Sequence, residues 1–510
     1  MGGSKKTSAA KYRNRNPSKA TVTATEKVSF VSSPSNIKPA SNPSDAPELP
    51  LFMAGLEDEE YFHGLLLRDD GARMCKNDGD FVLLTNEILP TSVKSIYILV
   101  RFNQEVRDLT IKTVGTKYCF DDSDGTQFDT ISQLIKHYYK KVLPIHSDVY
   151  LRHGVPRNDW ELLHRKIELK QKLGEGAQAN VSAGKFYGHP LKMPIEVAVK
   201  IYKGNVDNEK LVEIMHEVRI MLQFDHENVV KFVGIAACRS PMLIVLELVH
   251  GGGLNRYLKI KKNEVTTMQR ICMCADAANG LEYIHSMGIV HRDVASRNCL
   301  YSQSKQRTLI SDFGLSQQEE VCTIDPTKPL PIRWLAPEVM TTYQCTKMTD
   351  VWSYGVLCWE IFYHCQDPYS FIKKQKDVID QVISGVRLDF TPSNVPQPII
   401  DIVVKCWDIT PTARPTIKEI STVILPLCER PSTKNKKKEN NSLKTKDNSK
   451  TKEFQQNHSR RGQPESGSNR DSNRSHKERQ KKSGKAIEPP SSSGSGKKRS
   501  VRNRKKNAPL

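Results

Sequence analysis

The apolar positions along the chain change period several times, and the changes mark out its elements. Between 57 and 152, Tyr61-Phe62-His63-Gly64-Leu65 opens a stretch that continues with Asp80-Phe81-Val82-Leu83-Leu84 and an alternating run at 96–102, then with Phe128-Asp129-Thr130-Ile131-Ser132-Gln133-Leu134-Ile135. Strands flanked by two helical segments predict a small α+β unit. Residues 153–166 are a short polar connection holding Gly154, Pro156 and one aromatic anchor, Trp160. Beyond it, Ile167 and Leu169 alternate, Val197-Ala198-Val199 is a short apolar run ending in Lys200, and Met242–Leu248 reads as a buried strand. Leu211, Ile214, Met215, Val218, Met221 and Leu222 recur at helical spacing and predict an amphipathic helix, and Ile271, Ala275, Ala278 and Leu281 predict a longer one.

The two ends lack such periods. Residues 1–50 and 431–510 are rich in Ser, Lys and Asn and are expected to be disordered, because they hold too little apolar surface to offset chain entropy. They also hold the charge. Of a formal net +20, residues 1–50 carry eight Lys/Arg against three Asp/Glu and residues 431–510 carry 24 against seven, leaving 45 against 47 between them. The basic character belongs to the tails, so no specific nucleic-acid partner is expected. Gly2 partly fits an acylation signal, with Lys6 where Ser or Thr is wanted, and Lys5, Lys6, Lys11, Arg13 and Arg15 would add electrostatic attraction to an acidic membrane. The run from Lys497 to Lys506 fits a nuclear-localisation or polyanion patch equally well as a solvated tail. Twelve cysteines include no C-x-x-C pair, which predicts reduced thiols and a cytoplasmic protein, peripheral to the plasma membrane if Gly2 is acylated.

Candidate chemistry is concentrated in the second half. Leu173-Gly174-Glu175-Gly176-Ala177-Gln178-Ala179-Asn180-Val181 is a glycine-rich hairpin, whose backbone N–H groups approach phosphates closely. Lys200 follows, and Glu217 adjoins the buried stripe of the predicted helix, where a charge needs a partner. Asp293 of His291-Arg292-Asp293 stands five residues before Asn298, and Asp312-Phe313-Gly314 begins fourteen residues after Asn298. Ala336-Pro337-Glu338, Asp350-Val351-Trp352 and Arg414 complete the series.

In this order, the motifs from 167 to 428 are similar to a bilobal protein-kinase domain, the whole chain being of α+β class. The resemblance implies ATP and Mg²⁺ as cofactors. It implies Asp293 as catalytic base, Lys200 with Glu217 on the phosphates, and Asn298 and Asp312 on the metal. Leu173, Gly174, Gly176, Val181, Ala198 and the hinge residue Glu247 would contact the nucleotide, and Glu338 with Arg414 would form a buried salt bridge. Ala295 stands where serine/threonine kinases usually carry Lys, and a cation appears at Arg297 instead; with Pro331-Ile332-Arg333-Trp334 this resembles tyrosine kinases.

Residues 57–152 resemble a Src-homology-2 (SH2) domain, the module that captures phosphotyrosine. Leu84 replaces its phosphate-binding arginine and Asp108 its pocket histidine; only Arg68 remains. Phosphotyrosine capture is therefore expected to be weak or absent. SH2 followed by kinase looks most like the Fes/Fer family of non-receptor tyrosine kinases, here expected without the F-BAR region of typical members. Proteins with exposed tyrosines are the partners this implies. A kinase-fold scaffold of little activity is the alternative, motivated by Leu84, Ala179 and the lack of any tyrosine between Asp312 and Glu338; a serine/threonine kinase is a third.

Overall fold

The structure is a computed structural model that describes residues 50–430 apart from 88–94, 121–124, 147, 177–178, 189–191 and 205. The Gly2 signal, the basic residues around it, Ala177, Gln178 and the C-terminal basic run lie outside those residues. Among the described residues no helix is long and apolar enough to cross a membrane.

The first unit holds β1 (Phe62–Leu65), α1 (Arg68–Met74), β2 (Asp80–Thr85), β3 (Ile96–Phe102), β4 (Glu105–Leu109), β5 (Ile111–Val114), β6 (Lys117–Phe120), α2 (Ile131–Lys141), β7 (Pro144–His146), β8 (Val149–Tyr150) and β9 (His153–Gly154). Strand β2 is central: β1 and β9 pair with it in parallel and β3 antiparallel, with β4 beyond. Its residues alternate between two buried faces. Phe81 and Leu83 join a core with Phe62, Leu134, Ile135 and Tyr138 of α2, while Val82 and Leu84 join Leu65, Leu66 and Leu99 in a cluster that continues into the next domain. Helix α2 starts where Thr130 accepts a hydrogen bond from Gln133 N at 3.2 Å, leaving its apolar stripe free to face the sheet. Met53 and Leu56 are fully buried in its core, and β9 ends at Gly154.

The connection that follows is structured. Trp160 O accepts from Ile235 N and Leu162 N donates to Ile235 O, both at 2.8 Å, so the linker adds a bridge to the edge of the next sheet. That sheet, ordered β10-β11-β12-β14-β13, comprises β10 (Ile167–Glu175), β11 (Ala179–Phe186), β12 (Ile195–Tyr202), β13 (Phe232–Ala236) and β14 (Leu243–Glu247), with helix α3 (Asn208–Met221) between β12 and β13. The large lobe has α4 (Leu254–Lys261), α5 (Thr267–Ser286), β15 (Cys299–Ser302), β16 (Arg307–Ile310), β17 (Cys322–Thr323), α6 (Pro337–Thr342), β18 (Gln344–Cys345), α7 (Lys347–Phe362), α8 (Gln375–Ile383), α9 (Gln397–Lys405) and α10 (Ile417–Ile424). Reciprocal capping boxes at Thr266/Gln269, Thr346/Thr349 and Thr416/Glu419 start α5, α7 and α10, so these helices satisfy their first N–H groups before they enter the core. The expectation of reduced thiols is corrected at one place: Cys272 of α5 and Cys428 form a disulfide, with Cα atoms 4.8 Å apart, while the other ten cysteines are free and buried. Folding brings together two residues 156 apart in sequence, which no local spacing reveals.

The first unit meets the small lobe partly through main chain. Leu65 N donates to Ala237 O at 3.0 Å, and Gly64, at φ +71°, lies so close that a Cβ there would sit 2.6 Å from Ala237 O. Arg219 of α3 adds a fork onto Asp70 of α1 at 2.7 and 3.3 Å, and Arg239 pairs with Glu57. Gly64→Ala is expected to lower stability by about 2–4 kcal/mol, the sum of left-handed strain and displaced backbone. Gly115→Ala, at φ +65° with open space around it, carries only the strain, about 1–2 kcal/mol. Urea denaturation of both variants checks the difference, and equal losses would mean the close approach costs nothing.

Candidate active site

Strand register assembles the upper half of the site. Val181 pairs with both Gly174 and Lys200, and Ala198 pairs with Leu246, so these residues share one face of the sheet. Val197 and Val199, on the opposite face, are fully buried against Leu162 and Ile167. Leu173 lies at the hairpin, 39 % exposed, and Gly176 N closes the turn onto Ala179 O at 2.8 Å. Glu247 ends β14 at the hinge, but its backbone N–H donates to Lys231 O and its carboxylate accepts from Lys231 N, both at 2.9 Å, so neither group faces a nucleotide.

The predicted ion pair is present. Lys200 Nζ lies 2.8 and 3.0 Å from the two Glu217 oxygens, and the Tyr202 hydroxyl donates to Glu217 Oε2 at 3.0 Å. Burial works against the Lys200 ammonium, but the carboxylate of Glu217, with Tyr202 and Asp312, holds its pKa above the usual lysine value. Burial, then Glu217, likewise raises the Tyr202 phenol, so Tyr202 stays a donor. Asp312 Oδ1 is 3.9 Å from Lys200 Nζ and takes φ +66°, while Phe313 is fully buried between the rings of Phe224 and His291.

In the lower half, Asp293 is held from two sides. Asn298 Nδ2 donates to Asp293 Oδ2 at 2.6 Å and to its carbonyl at 2.8 Å, and Arg297 pairs with Asp293 Oδ1. The Arg297 guanidinium lies 4.2 Å from the centre of the Trp334 ring. Ser311 ties the Asn298 and Asp312 loops together, its N–H and Oγ each reaching Asn298 O at 2.9 Å. Asn298 gives its amide nitrogen to Asp293, and the Asp312 carboxylate is 57 % exposed. Their remaining oxygens are hard donors suited to a divalent cation whose shell phosphate oxygens complete. Among the described residues no cluster of three or more His, Cys, Asp or Glu could hold a metal unaided. Arg68 belongs to none of this: it forks onto Asp108 at 2.8 and 3.1 Å in the first unit.

Two further carboxylates shape the loop. Asp350 of α7 accepts from His291 N at 2.7 Å, Arg292 N at 2.8 Å and His285 Nε2 at 2.8 Å, and thereby holds Arg292 at φ +70°. Glu360 accepts from Ser296 N at 2.9 Å, Ser296 Oγ at 2.6 Å and Trp334 Nε1 at 3.0 Å. Burial raises the Glu360 carboxyl pKa against the opposing pull of those donors. Glu360 was legible as the lone acid in Val356-Leu357-Cys358-Trp359-Glu360-Ile361-Phe362, and Tyr202 as the same-face neighbour two residues after Lys200. Glu338 and Arg414 form the expected fork, both contacts at 2.7 Å.

A family model described as protein tyrosine and serine/threonine kinase matches residues 167–424, about half the chain. The chain is 34 % identical to human tyrosine-protein kinase Fer over 371 residues, covering 72 % of this chain and 43 % of that protein. It is 32 % identical to Fer-related kinase 1 of Caenorhabditis elegans, covering 71 % and 92 %. It is 30 % identical to the transforming protein Fps of avian sarcoma virus (strain PRCII), covering 76 % and 71 %. The chain thus spans less than half the length of the Fer proteins it matches.

Asp350→Asn is expected to cost about 2–4 kcal/mol, because an amide cannot accept from three donors and presents N–H to N–H. Denaturant titration beside a turnover assay checks it; unchanged stability would remove Asp350 from its role in holding the loop.

Proposed function

The chain belongs to the protein tyrosine and serine/threonine kinase family and, within it, to the Fes/Fer tyrosine kinases, and on that premise we propose that it transfers the γ-phosphoryl group of MgATP to tyrosine hydroxyls of proteins. The observation that carries this reading is the setting of Asp293 between Arg297, stacked on Trp334, and Asn298. Asp293 accepts the phenol proton as oxygen approaches phosphorus. Arg297, fixed by Trp334, keeps that carboxylate oriented, and Ala295 leaves room where a serine/threonine kinase would place a lysine. Lys200, held by Glu217, positions the nucleotide phosphates, and Gly174 and Gly176 let the hairpin backbone approach them. Asn298 and Asp312 would hold Mg²⁺, which supplies neutralisation of the charge on the leaving phosphates.

The first unit is read as an SH2-like domain that packs rather than captures. Leu84 is fully buried where the phosphate arginine belongs, and Arg68 is committed to Asp108. Loss of a desolvated charged partner costs about 2–5 kcal/mol, roughly thirty- to several-thousand-fold in affinity. Calorimetric titration of the full chain with phosphotyrosine peptides should give no low-micromolar binding, and finding it would overturn this half of the proposal.

The experiment for the activity is incubation of the full chain with MgATP and poly(Glu,Tyr), followed by phosphoamino-acid analysis. Phosphotyrosine is the expected product; phosphoserine or phosphothreonine would favour the serine/threonine reading, and silence the scaffold. Asp293→Asn should retain nucleotide binding and lose at least about 10²-fold in turnover.

A further inference from the structure

The segment between Asp312 and Glu338 contains no tyrosine, and its hydroxyl residues are Ser316, Thr323 and Thr327. Ser316 is fully buried, its Oγ donating to His291 O at 3.3 Å. The segment is nonetheless tied down along its length. Gln317 bridges to Val290, Cys322 and Thr323 pair with Cys345 and Gln344, and Ile324 N donates to Tyr343 O at 2.9 Å. Between those ties and the short helical turn at Ile332–Trp334 stands a contact to the other lobe: Lys328 Nζ lies 3.0 Å from Glu213 Oε1 on helix α3, one turn before Glu217. Just before it, Asp325 Oδ1 accepts from Thr327 N at 2.9 Å and from Thr327 Oγ at 2.6 Å, a closed turn that aims Lys328 at α3.

We propose that Lys328 holds the activation segment against α3 in place of a phosphorylated side chain, and that Thr327 is a modification site whose phosphorylation releases that hold. The proposal rests on the kinase reading above. An ATP-dependent serine/threonine kinase acting on this chain supplies the group. A bond forms between Thr327 Oγ and the γ-phosphorus, the bond from that phosphorus to the ADP oxygen breaks, and the hydroxyl proton leaves. The product has lost the donor to Asp325 and sets about two negative charges against that carboxylate. Lys328, the next residue, then has a stronger partner than Glu213, which keeps Lys210 at 3.0 Å. Glu213, beside Lys328 on α3, repels the phosphate. Phosphorylation here therefore detaches the segment, opposite in sign to a phosphate that docks on an arginine cluster.

An exposed lysine–glutamate pair shifts an equilibrium by up to about fivefold. Lys328→Glu and Glu213→Lys in the full chain should each lower kcat on poly(Glu,Tyr) by about two- to fivefold with little change in KM for ATP, and the double reversal should restore most of it. Full chain carrying genetically encoded phosphothreonine at 327 should fall at least as far, and hydrogen exchange should rise across residues 318–336 and 208–221. Higher turnover or greater protection with phosphothreonine, or a double reversal as impaired as either single change, would overturn the proposal. Absence of turnover in the unmodified chain would count against the kinase reading alone, because the exchange comparison still tests the release.

Discussion

The Lys200–Glu217 pair joins a strand to a helix across the core of the small lobe, and the position of α3 depends on it. Glu217 is only 5 % exposed, so separating the pair would leave a buried charge uncompensated, at about 3–5 kcal/mol. That cost holds the helix against the strand at this point. Its other side chains extend the constraint in three directions. Arg219 reaches Asp70 in the first unit, His216 Nε2 donates to Ser316 O at 2.8 Å beside the Asp312 loop, and Glu213 meets Lys328. Four residues within two turns thus connect the Lys200 strand, the Asp312 loop, the segment that follows it and the N-terminal unit.

Much of this was readable from the chain because the chemistry is local. Asp293 and Asn298 are five residues apart on one loop, and Lys200 and Glu217 follow directly from a strand period and a helix period. What stayed hidden depends on distant packing. Asp350 and Glu360 lie about sixty residues after the loop they hold, and their role appears only when α7 passes beneath it. Cys272 and Cys428 pair across 156 residues, and Arg68 meets Asp108 across two strands. Met53 and Leu56 join a core whose other members begin later in the chain, a contact that no local pattern announces.

Leu84 serves the packing of the N-terminal unit against its neighbour. Both faces of β2 are buried, and the face bearing Val82 and Leu84 belongs to the apolar cluster that runs on into the following domain. An arginine at that position would need a phosphate or a carboxylate to face; leucine needs only neighbours, and Leu99 and the glycine backbone of α1 provide them.

That joint is built in an unusual currency. Where Leu65 N meets Ala237 O and Gly64 lies against the 237–238 backbone, the parts that touch are peptide groups, which are the same whatever residues surround them. Point mutation can alter nearly every side chain nearby without removing the contact, and the exception is the glycine itself. The attachment of the N-terminal unit is consequently far more robust to sequence drift than contacts made by side chains, so the joint and the rest of the unit's surface are free to diverge in evolution.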